Sequence, residues 1–516
     1  MGNPSPDQFK QILNLYNQGL FENVLLEVTD LLNHFPSSAT LYSLLGAANR
    51  ATKKPDEAIK AYRMAIEIDP LYAEAYNNMG NVFSDQGEVN EAIAYYAKAL
   101  EINSSYTNAA HNLGAAFKGV VFQRATPALQ NLLARVLDDN PLAFRPQEIA
   151  RAVISIVKLD PKLKRHIDNN SISSIETFFD ELITDLTGIP LLMKFMEVSP
   201  LPDIELEDLL TALRRHLLLS RTMHSQSHSV LQFQSSLAHQ CFTNEYVYFE
   251  TDTEKKALNL LDQAIAQQLD AGCQPDPSDI FCLASYRPLY RCEWAASLSP
   301  DSHTNEIIVR QLMEPRKERE MRSKLHASEN ITDRISLEVK KQYESNPYPR
   351  WVRLSRPLQS KSVTQFAEDL QLRVNGGLLT KIHEPHVLVA GCGTGQHSIN
   401  TAQKFAASKV LAVDLSVSSL AYAKRKTQEL GIQNIEYLQA DILNLSQISM
   451  QFDIIESVGV LHHMSEPISG WRSLVTCLKP GGLLRIGLYS ESARKHIALI
   501  RNEIKITDVG FSDDEM

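Results

Sequence analysis

Gly46, Gly80 and Gly114 stand 34 residues apart, and a repeat of that length narrows the possible folds more than anything else in the 516-residue chain. The same spacing relates Ala58 to Ala92, Tyr62 to Tyr96, Ala65 to Ala99 and Pro36 to Pro70, and it runs through Tyr42, Tyr76 and Ala110. Small, aromatic, small and proline positions in that order predict stacked helix–turn–helix pairs. Small residues let helix backbones approach, the aromatic fills the gap to the next pair, and the proline ends the second helix.

This pattern resembles the tetratricopeptide repeat family. Residues 39–72 carry Leu45, Gly46, Ala58, Tyr62, Ala65 and Pro70; residues 73–106 carry Met79, Gly80, Phe83, Ala92, Tyr96 and Ala99, with Ser104 in place of the proline. Residues 5–38 read as a degenerate first copy with Ile12 at the glycine position, and residues 107–118 (Ala110, Leu113, Gly114, Phe117) begin another before the period is lost. The repeats are thus expected over 5–118. The resemblance implies a concave surface that binds a protein or peptide. Asn77, Asn78, Asn81, Asn108 and Asn112 suit contacts to a peptide backbone, or are simply solvated.

From 120 to 340 apolar residues recur at helical spacing, as in Leu129, Leu132, Leu133, Val136 and Leu137, and glycine is scarce, so a helical middle region is expected. The mixed-charge run Glu314 to Lys324 predicts an exposed helix face. His224 and His228 are four apart, with His239 nearby, but Ser225 stands where a zinc-protease helix has glutamate, and no metal site is expected. Tyr343, Tyr348 and Trp351, in the proline-broken lead-in to the next domain, either fold over a pocket or pin the linker, which is placed at 341–384.

Charge limits the functions available. With 51 basic and 61 acidic residues the net charge is −10, not the footprint of a general nucleic-acid binder. Six scattered cysteines without a CxxC pair argue against a disulfide scaffold or a zinc finger and suit a reducing cytosol. No basic-then-apolar leader and no membrane-length apolar run is present, so a cytoplasmic protein without membrane association is expected.

The chemistry lies after Pro385. Val387–Ala390 reads as a buried strand, Gly391, Gly393 and Gly395 as a tight loop, and Ser398 onward as a helix. A second strand ends at Asp414, 23 residues after Gly391, where a carboxylate can accept both hydroxyls of a ribose. Further strands lead into Ala440-Asp441-Ile442 and into Ser457, then Leu461-His462-His463; Leu478 to Gly482 turns into a fifth strand. The alternation predicts a doubly wound parallel sheet with its ligand at the carboxyl ends of the strands. Gln396 breaks the dinucleotide fingerprint.

Together these motifs, over about 380–490, resemble the class I S-adenosylmethionine-dependent methyltransferases. The expected architecture is therefore an all-α solenoid and helical middle, followed by an α/β Rossmann-like domain at 385–516. The resemblance implies S-adenosylmethionine as cofactor. It assigns Gly391, Gly393, Thr394 and Gly395 to the methionine part, Asp414 to the ribose and Asp441 with Ile442 to the adenine; Ser457 falls near the transferred methyl. Asp441 has the alternative of capping a loop. His462 is the candidate base, or else it shapes the acceptor pocket. The family sheet closes with a hairpin, for which Glu491 to Met516 leaves little room. Two functions follow: methyl transfer to a small molecule or protein with repeats recruiting a partner, or a scaffold with an incomplete cofactor domain.

Overall fold

The structure, a computed structural model, describes residues 4–138, 144–168, 175–221, 227–327, 331–355, 359–374, 376–447, 450–490 and 492–506. The chain divides into two compact units, Met1–Leu312 with Trp351–Leu358, and Met313–Arg350 with Gln359–Met516.

In the first unit the helices alternate as the 34-residue period demands: Ala39–Ala51 with Pro55–Ile68, then Ala73–Asp85 with Val89–Ile102. A Cβ at Gly46 would lie 2.7 Å from the Tyr62 ring, and one at Gly80 would lie 2.5 Å from that of Tyr96. Each glycine therefore makes room for the aromatic sixteen residues on. At Gly114 the sixteenth residue is Gln130, and the ring comes instead from Phe144, 2.4 Å from the would-be Cβ. The packing rule outlasts the sequence period by recruiting a different residue.

One apolar core runs from Ala92 to Leu312. The last repeats and the helical middle are thus a single packed body with no break near 118–120. The asparagines of the repeats bond largely to one another: Asn112 donates to Asn77 and Asn81, each at 2.9 Å, and the Tyr96 hydroxyl donates to Asn81 at 3.0 Å. In the middle region Glu254 is fully buried and accepts from the Tyr286 hydroxyl at 2.6 Å and from Arg215 at 3.2 Å. His228 is exposed and His239 is buried on the same helix, while His224 lies outside the described residues. Among the described residues no helix is long and apolar enough to cross a membrane.

The second unit holds a six-stranded, all-parallel sheet. Its strands are β1 (His326–Ala327), β2 (His386–Ala390), β3 (Lys409–Asp414), β4 (Ile435–Gln439), β5 (Phe452–Val458) and β6 (Leu478–Gly487), in spatial order β1-β4-β3-β2-β5-β6. Five of these were expected; β1, two residues long and sixty residues before the glycine loop, extends the sheet at the β4 edge. Order reverses at β2, so the first crossovers build one half and the later ones the other, leaving a crevice at the carboxyl ends of β2 and β5. Alternate residues of β2 and β3 face two separate cores, Val387, Val389, Val410 and Ala412 on one side and Leu388, Ala390 and Val413 on the other. Among the described residues nothing pairs with the outer edge of β6.

The charged run at Glu314 to Lys324 is only in part the exposed helix face expected of it: Arg316, Lys317, Arg319 and Glu320 are exposed, while Glu314 and Glu318 are half-buried. Helix Glu314–Arg322 belongs to the second unit and packs on helix Val417–Glu429. Arg425, 1% exposed, lies between Glu314 at 3.0 Å, Glu318 at 2.8 Å and the adjacent Glu429. Charges spaced for solvent here converge on one buried cation.

Candidate functional site

The loop after β2 folds back on β3: Gly391 N–H and Cys392 N–H both donate to Val413 O, at 2.8 and 3.0 Å. All three loop glycines have positive φ, +75° at Gly391, +54° at Gly393 and +87° at Gly395, a region L side chains rarely enter. A Cβ at Gly391 would strike Val460 at 2.4 Å, and one at Gly395 would strike Ala423 at 2.5 Å. At Gly393 the nearest atom would be Tyr348 O, 3.6 Å away. Two of the glycines thus let the loop pack on its own domain, and Gly393 is the one with space before it.

Asp414 closes the loop from β3. Its carboxylate accepts from Gly393 N–H at 2.8 Å and from Ser416 N–H at 3.0 Å. Burial pushes its pKa up, the backbone N–H groups of Ser416, Gly393 and Leu415 pull it down, and the net shift is upward. Across the strand end Ala440 N–H donates to Asp414 O at 3.1 Å, which puts Asp441 beside it. Asp441 does two things. One oxygen accepts Leu443 N–H at 2.9 Å, the loop-capping arrangement, while the other, Oδ2, is buried with no partner. Ile442 is buried next to it.

The end of β5 repeats the pattern. Ser457 is fully buried and its Oγ has no partner; both ring nitrogens of His462, in the turn Leu461–His463, are buried and partnerless as well. Burial, followed by the neighbouring His463 and Arg494, lowers the His462 pKa, so its imidazole is neutral and able to accept a proton. Orphaned polar atoms are uncommon in folded proteins because each costs about 1–3 kcal/mol. Asp441 Oδ2 lies beyond the carboxyl end of β4, and Ser457 Oγ with the two His462 nitrogens at that of β5, on either side of the β2 and β3 ends that carry the glycine loop and Asp414. A polar ligand with hydrogen-bonding groups along its length, as the nucleoside and amino-acid portions of S-adenosylmethionine would be, fits that arrangement.

The lead-in segment forms one wall. Thr394, 1% exposed, donates through its hydroxyl to Pro349 O at 2.7 Å. Ser416 Oγ donates to Tyr343 O at 3.0 Å. Glu344 caps the helix after Asp414, accepting Val417 N–H at 2.7 Å and Ser418 N–H at 3.1 Å, where the positive end of the helix dipole favours a carboxylate. The segment is therefore pinned along the glycine loop by its own backbone, and Trp351 belongs to the helical unit. Sequence reasoning missed Glu344, because a lone glutamate in QYESNPYP carries no spacing that announces a cap for a helix seventy residues away.

The strand order, the positive-φ glycine loop and the acid that ends β3 are those of a doubly wound, Rossmann-like domain. A methyltransferase-domain family model matches residues 387–482, and two tetratricopeptide repeat models match residues 73–106 and 50–87. The chain thus carries tetratricopeptide repeats followed by a methyltransferase domain.

An uncharacterized protein of Synechococcus is 34% identical over 131 residues, 25% of this chain and 31% of that protein. The ubiquinone biosynthesis O-methyltransferase of Acinetobacter baumannii is 29% identical over 126 residues, 24% of this chain and 51% of that enzyme. The chain spans about half, or less, of the length of these relatives. Among solved structures, PKMT2 from Rickettsia typhi in complex with AdoHcy is 30% identical, covering 19% of this chain and 20% of that one, with a TM-score of 0.19.

Proposed function

We propose that the C-terminal unit binds S-adenosylmethionine and that the protein is a methyltransferase acting on an acceptor oxygen of a small molecule or protein. The buried, partnerless polar atoms at Asp441 beyond β4 and at Ser457 and His462 by the end of β5, flanking the glycine loop and Asp414, carry this reading. The likeness to an O-methyltransferase supports oxygen as the acceptor atom.

When bound, S-adenosylmethionine supplies a methyl carbon on a positive sulfur; that carbon bonds to the acceptor's lone pair while the carbon–sulfur electron pair stays on sulfur. The chain's residues have the remaining tasks. Gly391, Gly393, Thr394 and Gly395 shape the loop around the methionine part, Asp414 accepts the ribose hydroxyls, and Asp441 with Ile442 borders the adenine. Ser457 lies near the methionine portion, and His462 takes the acceptor's proton. Alignment of the acceptor with the sulfur–methyl bond and exclusion of water supply most of the acceleration. The repeats recruit a protein or peptide partner, and the six unpaired cysteines suit action in a reducing cytoplasm.

Calorimetry of the full chain with S-adenosylmethionine tests the cofactor assignment. Asp414→Ala is expected to weaken binding by roughly 100-fold, the loss of a doubly bonded charged acceptor; unchanged affinity would remove the ribose role. His462→Ala is expected to keep cofactor affinity and to slow methyl incorporation from labelled donor into fractionated extract by about 10²-fold or more. Undiminished incorporation would dispose of the base.

A further inference from the structure

Beyond the ends of β5 and β6 four planar side chains stand against one another. The ring centroids of His463 and His462 are 4.2 Å apart, those of His462 and Tyr489 are 3.8 Å apart, and the Arg494 guanidinium lies 3.4 Å from the Tyr489 centroid. Arg494 is half-buried and has no carboxylate partner among the described residues. Its charge reaches both histidines, adding to burial in lowering each, and no acid offsets it at either. The charges of Asp414, Tyr489 and Tyr348 all reach Tyr343. Following the ends of β5 and β6 in a parallel sheet, the stack lies at the same end of that sheet as the glycine loop after β2.

A guanidinium held on an aromatic face without a counter-ion leaves a positive potential in a partly desolvated place. Its surroundings are the half-exposed Tyr489 ring and the two imidazoles, and the buried ring nitrogens of His462 have no partner. A sulfonium bound nearby adds to the positive charge. An amine would be repelled from such a site, whereas a flat anion gains a salt bridge, ring contacts and a hydrogen bond at once. We propose that His462, His463, Tyr489 and Arg494 form the acceptor subsite, and that it takes a planar aromatic molecule carrying a carboxylate. This assignment rests on the methyl-transfer reading and narrows it to a class of acceptor.

The test is calorimetry on the full chain saturated with S-adenosylhomocysteine, using 4-hydroxybenzoate and its uncharged counterpart 4-hydroxybenzamide as probes. The acid is expected to bind at least tenfold more tightly than the amide. Arg494→Gln should abolish that preference by weakening the acid at least tenfold, with S-adenosylhomocysteine affinity as the control for folding, and Tyr489→Leu should weaken both probes. Equal binding of acid and amide, binding of neither, or a preference that survives Arg494→Gln would overturn the acceptor subsite while intact S-adenosylhomocysteine binding preserves the cofactor reading. Failure of S-adenosylhomocysteine itself to bind would overturn the cofactor reading and the acceptor subsite together.

Discussion

Glu456 and Ser457 are consecutive on β5 and serve opposite ends. Glu456, 1% exposed, faces helix Gln396–Lys404 and accepts from His397 at 2.9 Å, from Lys404 at 2.7 Å and from the Thr401 hydroxyl; Arg485 lies at 3.4 Å. Burial would push its pKa up, but the His397 hydrogen bond and the Lys404 charge outweigh it and hold the carboxyl well below the usual range. A depressed native pKa means the folded state binds its proton less readily than the unfolded chain. The resulting stability is present above the unfolded value of about 4.3 and is lost as pH falls below it. Glu456→Gln is therefore expected to lower the urea midpoint at pH 7 by the equivalent of about 3 kcal/mol, and the gap to the natural protein should close on acidification. A gap independent of pH would show that the carboxylate's charge is not what holds the helix. Neighbouring identities were only partly legible in the sequence. Asp414 and the glycines could be located because their spacing from a strand is set by the loop, whereas Tyr489 and Arg494 lie beyond the last motif and acquire meaning only when β6 brings them beside His462.

Among the elements, the helix Glu314–Arg322 shows why charge patterns mislead. Its sequence has the alternating signs of a solvated face, and β1 is two residues without an apolar run, so neither announced membership of the sheet domain. The apolar runs of β2, β3 and β5 did announce themselves, because strands buried on both faces need nothing but apolar side chains. Arg425 is the joint: a fully buried cation surrounded by Glu314, Glu318 and Glu429. Burial raises the Glu318 carboxyl despite the arginine, so the cluster tolerates no further loss of positive charge. Arg425→Ala is expected to cost about 2–3 kcal/mol, since it leaves three partly buried carboxylates without their cation, and to raise hydrogen exchange across residues 314–322. Protection of that helix at the natural level would show that its apolar contacts suffice.

For the whole molecule, the continuity of the core from Ala92 to Leu312 makes the last repeats and the helical middle one cooperative body. A branched side chain at Gly114 meets Phe144 at 2.4 Å. Gly114→Val should cost about 1–3 kcal/mol through overpacking and speed amide exchange throughout 92–312 rather than in one repeat. Exchange confined to 107–118 would restore a boundary there. The period made the repeats readable, while their fusion with the helical middle was not, because Phe144 replaces a position that the period assigns to Gln130.

The straps at Glu344 and Pro349 also bear on where the methyltransferase domain begins. A fragment trimmed to 387–482 would discard the carboxylate that finishes the helix after Asp414, the carbonyl that steadies Thr394, and the edge strand at 326–327. Such a piece would keep every recognisable signature and still leave its donor pocket without a side. The compact unit that holds all of these groups begins at Met313, well upstream of the first signature residue.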